Sequence, residues 1–303
     1  MSQRALVSTA ILVWIVIVCF ILLFHDKAPV NDVKATTERV QVRVVNPSTA
    51  AFSIAGYRMF DDSPFAAVAE GACGEGVFTP SPGAVIEYVR IGDGPLRISV
   101  RPAGPGQRAG GTGTGDGLPA GAVHFIAADA CGGLRARRLP VWGAVALGDD
   151  LRGTAGTDTA SALLLEGEIS VSARSVTLFG LLPPTLYHVT TVRLPTGSRV
   201  SEVGADEAPD GALWAGYVSL AEAGRGLEFR AVTDARNLKL FLPGQGGVGD
   251  QLRIGLLIPV FQDPYLVFLQ ILLGSVLVAS QALATLVDFF GARRPDVKER
   301  NTE

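Results

Sequence analysis

Two cysteines outside the apolar parts of the chain are the residues best suited to covalent chemistry. Cys73 lies in GACGEG and Cys131 in DACGGL, whereas Cys19 lies inside an apolar run. In an oxidising compartment such a pair is more often a disulfide than two free thiols. We therefore predict a bond between Cys73 and Cys131, with packed or reactive thiols as the alternative. Closing a loop of about 57 residues would stabilise the fold by about 4 kcal/mol in the chain-entropy treatment.

The histidines are too few and too scattered to predict a metal site. His25, His124 and His188 form no HxxxH pair, and the chain contains neither CxxC nor the haem-attachment motif CxxCH. Zinc and copper sites need three or four such ligands brought together. We predict no metal and no cofactor, with His124 and His188 as strand residues at a surface or an interface.

Sequence motifs for catalysis are also missing. The glycine-rich GTGTGDG lacks the lysine of a phosphate-binding P-loop, and no GxSxG nucleophile elbow occurs. The acid pairs Asp61-Asp62 and Asp149-Asp150 stand in turn-like contexts. Solvated loop acids explain them more simply than a general acid and base, and a calcium-ligand role is a further alternative. We predict that the chain is not an enzyme and that it has no catalytic residues.

A short basic cluster offers a contact patch rather than a reactive site. Arg135, Arg137 and Arg138 stand close together in LRARRL. Guanidinium groups bind carboxylates and lipid phosphates well, so the cluster predicts contact with an acidic partner or with lipid headgroups. A solvated strand edge is the alternative, because edge charges protect sheets from aggregation.

Composition narrows the protein class and favours β structure. The 303 residues are 48% hydrophobic and 18% charged, with a formal net charge of −3. These values exclude a disordered polymer and a nucleic-acid binder that relies on bulk positive charge. The chain has 36 glycines and 18 prolines, which are penalised in helices and used in turns.

The middle of the chain predicts a mainly β body of antiparallel sandwich type. Short runs with period-two or β-branched character recur, each bounded by turn residues. These runs occupy 39–46, 85–91, 96–100, 168–173, 187–194, 212–220, 227–233 and 238–242, and a last run at 252–258 completes the sheet. Many short strands and little helical periodicity indicate one or two antiparallel sandwiches or barrels.

Two breaks suggest how this body is divided. A linker at 25–35 precedes a first β unit at 36–147, which contains a glycine-rich insertion at 104–122. A second linker at 148–159 precedes a second β unit at 160–260. Units of about 100–110 residues can each close a core. A single large sandwich is the alternative.

The two ends of the chain predict transmembrane helices. Residues 5–24 are uncharged, and about 20 such residues span a bilayer; a cleaved signal peptide is the alternative. The second predicted span, 264–288, follows Asp263-Pro264, an N-cap and a first-turn proline. Basic residues in the tail at 289–303 place the C-terminus, and with it residues 1–4, in the cytoplasm. The prediction is thus a bacterial inner-membrane protein with a periplasmic body.

The second span also carries a stripe of polar and small residues. At 100° per residue, Gln270, Gly274, Gln281 and Ala284 fall on one side of a helix. Amides and small residues are costly towards lipid and useful between helices. We interpret the stripe as a docking face for partner helices; packing against the chain's own first span is the alternative.

These observations favour a function carried by surfaces. The leading hypothesis is a non-catalytic accessory subunit of a bacterial integral membrane complex, such as a photosynthetic or respiratory electron-transfer assembly. Its partners would be integral membrane proteins and the lipid bilayer, and not nucleic acid. The alternative is a membrane-tethered periplasmic β-sandwich that binds envelope carbohydrate or peptide, through the 104–122 loop or through Trp142 and Trp214, although a core role is expected for both tryptophans. A periplasmic hydrolase is the weakest hypothesis.

Overall fold

The computed structural model describes residues 29–61, 73–112, 121–132, 138–148, 162–175, 185–202, 213–221, 224–235, 238–243 and 249–252, and, between 262 and 286, residues 262, 263, 265, 267, 268, 270–272, 274, 275, 278, 279, 282, 285 and 286. The chain divides into two compact units. The larger comprises 27–174 and 188–254, and the described part of the smaller lies within 175–187 and 255–303.

Strands are the main secondary structure of the described residues. These residues also include one 3-10 turn, Asp129–Cys131, and helical residues between 262 and 286. The 17 strands of the described residues are β1 (Val30–Thr37), β2 (Arg39–Val44), β3 (Phe52–Ser53), β4 (Tyr57–Asp61), β5 (Val77–Pro80), β6 (Val85–Val89), β7 (Arg97–Arg101), β8 (Gly110–Thr112), β9 (Val123–Ala127), β10 (Leu139–Leu147), β11 (Leu164–Arg174), β12 (Leu186–Leu194), β13 (Arg199–Glu202), β14 (Trp214–Leu220), β15 (Leu227–Thr233), β16 (Leu238–Phe241) and β17 (Asp250–Leu252).

Fourteen of these strands form one sheet. Its main order is β12-β11-β1-β15-β14-β10-β2-β6-β7-β9-β4, with β13 bridging β10 to β16 and β17 beyond β16. A second sheet has the order β3-β5-β8. Neighbouring strands run antiparallel. The prediction of a mainly β, antiparallel chain is confirmed.

Alternating burial explains why the predicted runs form strands. Along β10 every second residue is buried, from Leu139 through Val141 to Leu147, as expected where one side of a strand meets a core and the other meets water. The predicted runs at 39–46, 85–91 and 227–233 coincide with β2, β6 and β15. The buried sides of these strands belong to a single hydrophobic core.

Strand β1 lies where the sequence predicts a linker at 25–35. It is a central strand, paired with β11 on one side and β15 on the other. Its buried side includes two polar residues, Asn31 and Thr37, which hide the alternation of apolar residues. The amide of Asn31 donates a hydrogen bond to the Ala235 carbonyl at 2.9 Å, and this bond makes its burial tolerable.

The sheet combines strands from both predicted β units. β10 pairs with β14, and β1 pairs with β15, across the predicted boundary. This pairing agrees with the single-body alternative, although the predicted linker at 148–159 lies outside the described residues apart from Gly148, so the division itself stays a prediction.

The described part of the glycine-rich insertion, 104–112 and 121–122, includes residues that pair with a strand and pack into the core. It contains β8, which pairs with β5, and Ala109 is fully buried. A Cβ atom at Gly110 would lie 2.6 Å from Cζ of Phe78. Glycine therefore allows this backbone to approach the core closely.

The predicted membrane topology is corrected by the structure. A span needs about 20 consecutive apolar residues in one helix. Among the described residues no helix is both long and apolar enough to cross a bilayer. The predicted location, a bacterial inner membrane with two spans, cytoplasmic ends at 1–4 and 289–303 and a periplasmic body, is therefore wrong for the part of the chain that the structure describes. The first predicted span, 5–24, lies outside that part.

Candidate functional site

The predicted disulfide is present. Cys73 and Cys131 are bonded, with Cα atoms 5.5 Å apart and a sequence separation of 58. Cys73 forms a bridge to Arg58 in β4, and Cys131 ends the 3-10 turn that follows β9. The disulfide therefore reinforces the edge of the large sheet at which β4 lies. We interpret its role as structural.

A helical segment lies in the smaller unit, between residues 262 and 286. The Asp263 carboxylate accepts a hydrogen bond from the Tyr265 N–H at 2.9 Å, and the Asp263 carbonyl accepts one from the Val267 N–H at 3.0 Å. Asp263 is fully buried. The predicted N-cap is thus confirmed, because its side chain satisfies a donor that the first helical turn leaves unpaired.

The predicted docking face falls on this segment. Gln270 and Gly274 are helical and exposed, whereas Gln281 and Ala284 lie outside the described residues. Five large apolar side chains of the same segment are also exposed: Phe268, Ile271, Leu272, Val278 and Leu286. None of the described helical residues here carries a charge. Clusters of exposed apolar side chains are found where proteins contact other proteins, membranes or ligands.

Tyr187 is electrostatically linked to the start of this segment. Burial raises the pKa of Tyr187 to about 12, and the charge of Asp263 adds to the rise. Ser175 and Thr185 are joined by two hydrogen bonds: the Ser175 N–H donates to the Thr185 carbonyl and the Thr185 N–H donates to the Ser175 hydroxyl, both at 2.8 Å. Within the smaller unit, Tyr187 is therefore kept as a neutral phenol.

A row of charged residues crosses the outer side of the large sheet. In register, Lys34 of β1 lies opposite Glu168 of β11 and Arg230 of β15. Lys34 Nζ lies 3.7 Å from Glu168 Oε1 and 3.9 Å from Asp32 Oδ2. We call Glu168, Lys34 and Arg230 the charged ladder.

The charged ladder borders an open groove of about 790 Å³. Arg230 Nε lies 2.8 Å from Glu228 Oε1, and this hydrogen bond raises the pKa of the Arg230 guanidinium. Because these charges are largely paired and exposed, the ion pairs contribute little to stability. The groove can instead recognise a polar ligand through fixed donors and acceptors.

The predicted arginine patch is partly described. The Arg138 guanidinium lies over the Tyr217 ring, 4.5 Å from its centroid, and Tyr217 lies opposite Arg230. Arg135 and Arg137 lie outside the described residues. Arg138 is thus held by a cation–π contact at the end of the charged ladder.

His124 in β9 and His188 in β12 make ordinary polar contacts. His124 Nδ1 lies 2.9 Å from the Ser99 hydroxyl, and His188 Nδ1 lies 3.2 Å from the Ser170 hydroxyl. Across the described ranges, no group of three or more histidine, cysteine, aspartate or glutamate side chains could hold a metal ion.

The two tryptophans differ in position. Trp214 is fully buried, as predicted for a core residue, whereas Trp142 is only half-buried. Neither the outward position of Trp142 nor the charged ladder was predicted from the sequence, because both depend on the strand register around β1, β14 and β10. Alternating charge in DVKA and in LEFR was the available signal, but it indicates a ladder only once these two segments are paired.

The described residues thus present two kinds of surface, an apolar helical one and a polar groove on a sheet. Comparisons with protein-family models, with curated proteins and with solved structures each found no match.

Proposed function

We propose that this chain is a non-catalytic accessory subunit of a larger protein complex, and that its partners are integral membrane proteins. The observation that carries the proposal is the exposure of the large apolar side chains between 262 and 286. Phe268, Ile271 and Val278 are 65%, 63% and 67% exposed. Such surfaces are covered by apolar partners in working assemblies. The proposal concerns the partners alone and assigns no membrane span to this chain.

Helical spacing supports partner helices as the occupant. At 100° per residue, Phe268, Leu272 and Leu286 fall on one side, while Gln270 and Gly274 fall on the other. Apolar packing on one side and amide or small-residue contacts on the other are how helices associate in an apolar environment. Integral membrane proteins present such helices.

We further propose that the larger unit is an antiparallel β-sandwich that acts as the rigid body of the subunit. Support comes from the alternating burial along β2, β10 and β15 around one core. Sandwiches bury one side of each sheet and present the other to solvent or to partners. The outer side that carries the charged ladder is available for such contacts.

Isolation of the full-length chain from its source cells in mild detergent tests this function. We expect defined membrane proteins to remain bound through two purification steps. Gln270→Leu and Gly274→Leu should lower the amount of bound partner several-fold. A Cβ atom at Gly274 would meet nothing within 4 Å, so that variant should fold normally. Gln107→Leu, at an exposed position of the larger unit, is the matched control. Purification of the chain alone would contradict the proposal.

A binding module for carbohydrate or peptide is the second candidate, and the groove of about 790 Å³ favours it. Half-buried aromatic rings at Trp142 and Tyr217 lie on the same outer side of the sheet as the charged ladder. Aromatic rings beside fixed polar groups are common in sites for small polar ligands. Screening the purified chain against glycans and peptides tests this function, and loss of a positive signal in Trp142→Ala would assign it to this side of the sheet.

A further inference from the structure

The two ends of the large sheet are protected very differently. At one end, β4 has five residues, among them Arg58. Cys73 pairs with Arg58 and is held in place by the disulfide. Short length, charge and a covering segment are the usual protections of an edge strand. At this end, aggregation by further strand pairing is prevented.

At the other end, β12 is longer and less protected. It has nine residues, Leu186–Leu194, and contains Arg193 but no proline, glycine or lysine. Within the part of the chain that the structure describes, its sheet neighbour is β11 alone. In an antiparallel sheet, alternate N–H and C=O groups of an edge strand point away from its neighbour. A long edge of this kind is a template for another strand.

We propose that β12 pairs with β12 of a second copy of this chain, antiparallel, so that the large sheet continues across a two-fold dimer. Such an interface uses the same strand from both copies. A two-fold axis perpendicular to the sheet keeps the two sides of the sheet distinct. Only residues that point to the same side can then face each other, and the register must be centred on one residue.

Charge and burial select Thr190 as the centre. In this register Thr190 faces Thr190 of the second copy, Val189 faces Thr191, and Arg193 faces the uncharged Tyr187. Opposed threonines and β-branched pairs stabilise antiparallel sheets, whereas like charges destabilise them.

Centring on Thr191 is less favourable. That register would set the Arg193 guanidinium beside Val189, which is only 7% exposed, and a charge beside a buried apolar side chain is desolvated. The side chains of β12 therefore complement one another in the symmetric arrangement centred on Thr190, which favours a second copy over an unrelated segment as the occupant of this edge.

Cross-linking of the full-length chain tests the arrangement. Directly opposed residues have Cβ atoms about 4.5–5.5 Å apart, so Thr190→Cys in a Cys19→Ser background should form a disulfide-linked dimer on mild oxidation. Ser172→Cys, one strand further into the sheet, is the matched control and should remain monomeric on a non-reducing gel. Equal cross-linking of the two variants would overturn the proposal.

Light scattering of the native chain and of a charge variant gives an independent readout. We expect the native chain to have the mass of a dimer. Thr190→Lys should weaken the dimer at least tenfold, because it places an ammonium group of each copy opposite that of the other. Ser172→Lys should stay dimeric. A monomeric native chain overturns the proposal, as does capture of Thr190→Cys by a different protein, since either outcome removes the second copy from this edge. Co-purifying membrane proteins do not affect this result, so it fails or succeeds independently of the proposed function.

Discussion

At the residue scale, the side chain of Trp214 combines a buried aromatic ring with a buried N–H donor. It is fully buried and packs against Phe229 with ring centroids 6.1 Å apart. Its Nε1–H has no hydrogen-bond partner among the described residues. An unpaired buried donor costs about 1–3 kcal/mol, which partly offsets the gain from burying the ring.

We expect Trp214→Phe to change the free energy of unfolding by no more than about 1 kcal/mol, because it keeps an aromatic ring and removes the unpaired donor. Trp214→Ala, which leaves a cavity, should cost about 3–5 kcal/mol. Denaturant unfolding of both variants measures the difference. Similar large losses in the two variants would show that the indole N–H contributes favourably.

Tyr187 gives the chain an alkaline pH dependence. An unfolded tyrosine has a pKa of about 10, and burial and then Asp263 raise the pKa of Tyr187 to about 12 in the folded chain. The folded state therefore holds the phenol proton more tightly. The resulting stabilisation is complete below pH 10 and is lost as the pH rises through about 12. Tyr187→Phe removes this dependence, so native and variant unfolding curves should converge or cross between pH 10 and 12. Parallel pH profiles would refute the assignment.

Sequence alone could predict the disulfide but not the charged ladder. Only two cysteines lie outside the apolar run, so the disulfide could be predicted without knowing which strands pair. The ladder needs Lys34, Glu168 and Arg230, which are far apart in sequence and become neighbours only through the pairing of β1. Local hydrophobic periodicity predicts single strands, but it does not predict which distant strands pair.

At the element scale, the strands with a clean apolar alternation were predictable and those with polar residues on the buried side were not. β15 coincides with its predicted run at 227–233. Residues 30–35 of β1 were predicted as linker, because the polar Asn31 occupies a buried position there. Hydrogen bonds to distant residues, such as that from the Thr37 hydroxyl to the Leu163 carbonyl at 3.3 Å, offset the cost of burying these polar side chains.

The helical segment that begins at Asp263 depends on its cap. Asp263→Ala removes the acceptor for the Tyr265 N–H, and we expect a loss of about 1 kcal/mol in local helix stability. Hydrogen exchange of the amides from Tyr265 to Phe268 should become several-fold faster. Asp263→Asn keeps an acceptor and is the matched control. Unchanged exchange in Asp263→Ala would mean that the cap does not hold the first turn.

At the scale of the whole molecule, the large sheet joins parts of the chain that are distant in sequence. β1, near one end of the described chain, lies between β11 and β15, and the core extends through strands from both predicted units. The sequence predicts strands and turns from local patterns, but the order of strands follows from which edges can bury a common core. The sequence could therefore predict which segments form strands, but it could not predict the order of these strands in the sheet.

The disulfide is the covalent constraint on this non-local arrangement. It closes a segment with a sequence separation of 58 that contains β5 to β9. In the chain-entropy treatment, a loop of this length limits the unfolded chain enough to stabilise the fold by about 4 kcal/mol. Replacing both Cys73 and Cys131 by alanine should lower the free energy of unfolding by up to about that amount, and the midpoint in denaturant should fall while the slope changes little. Cys19→Ala is the matched control, because it removes a thiol that is not part of this bond. A native midpoint in the double variant would show that the pairing of β4 and β9 holds this edge of the sheet without the disulfide.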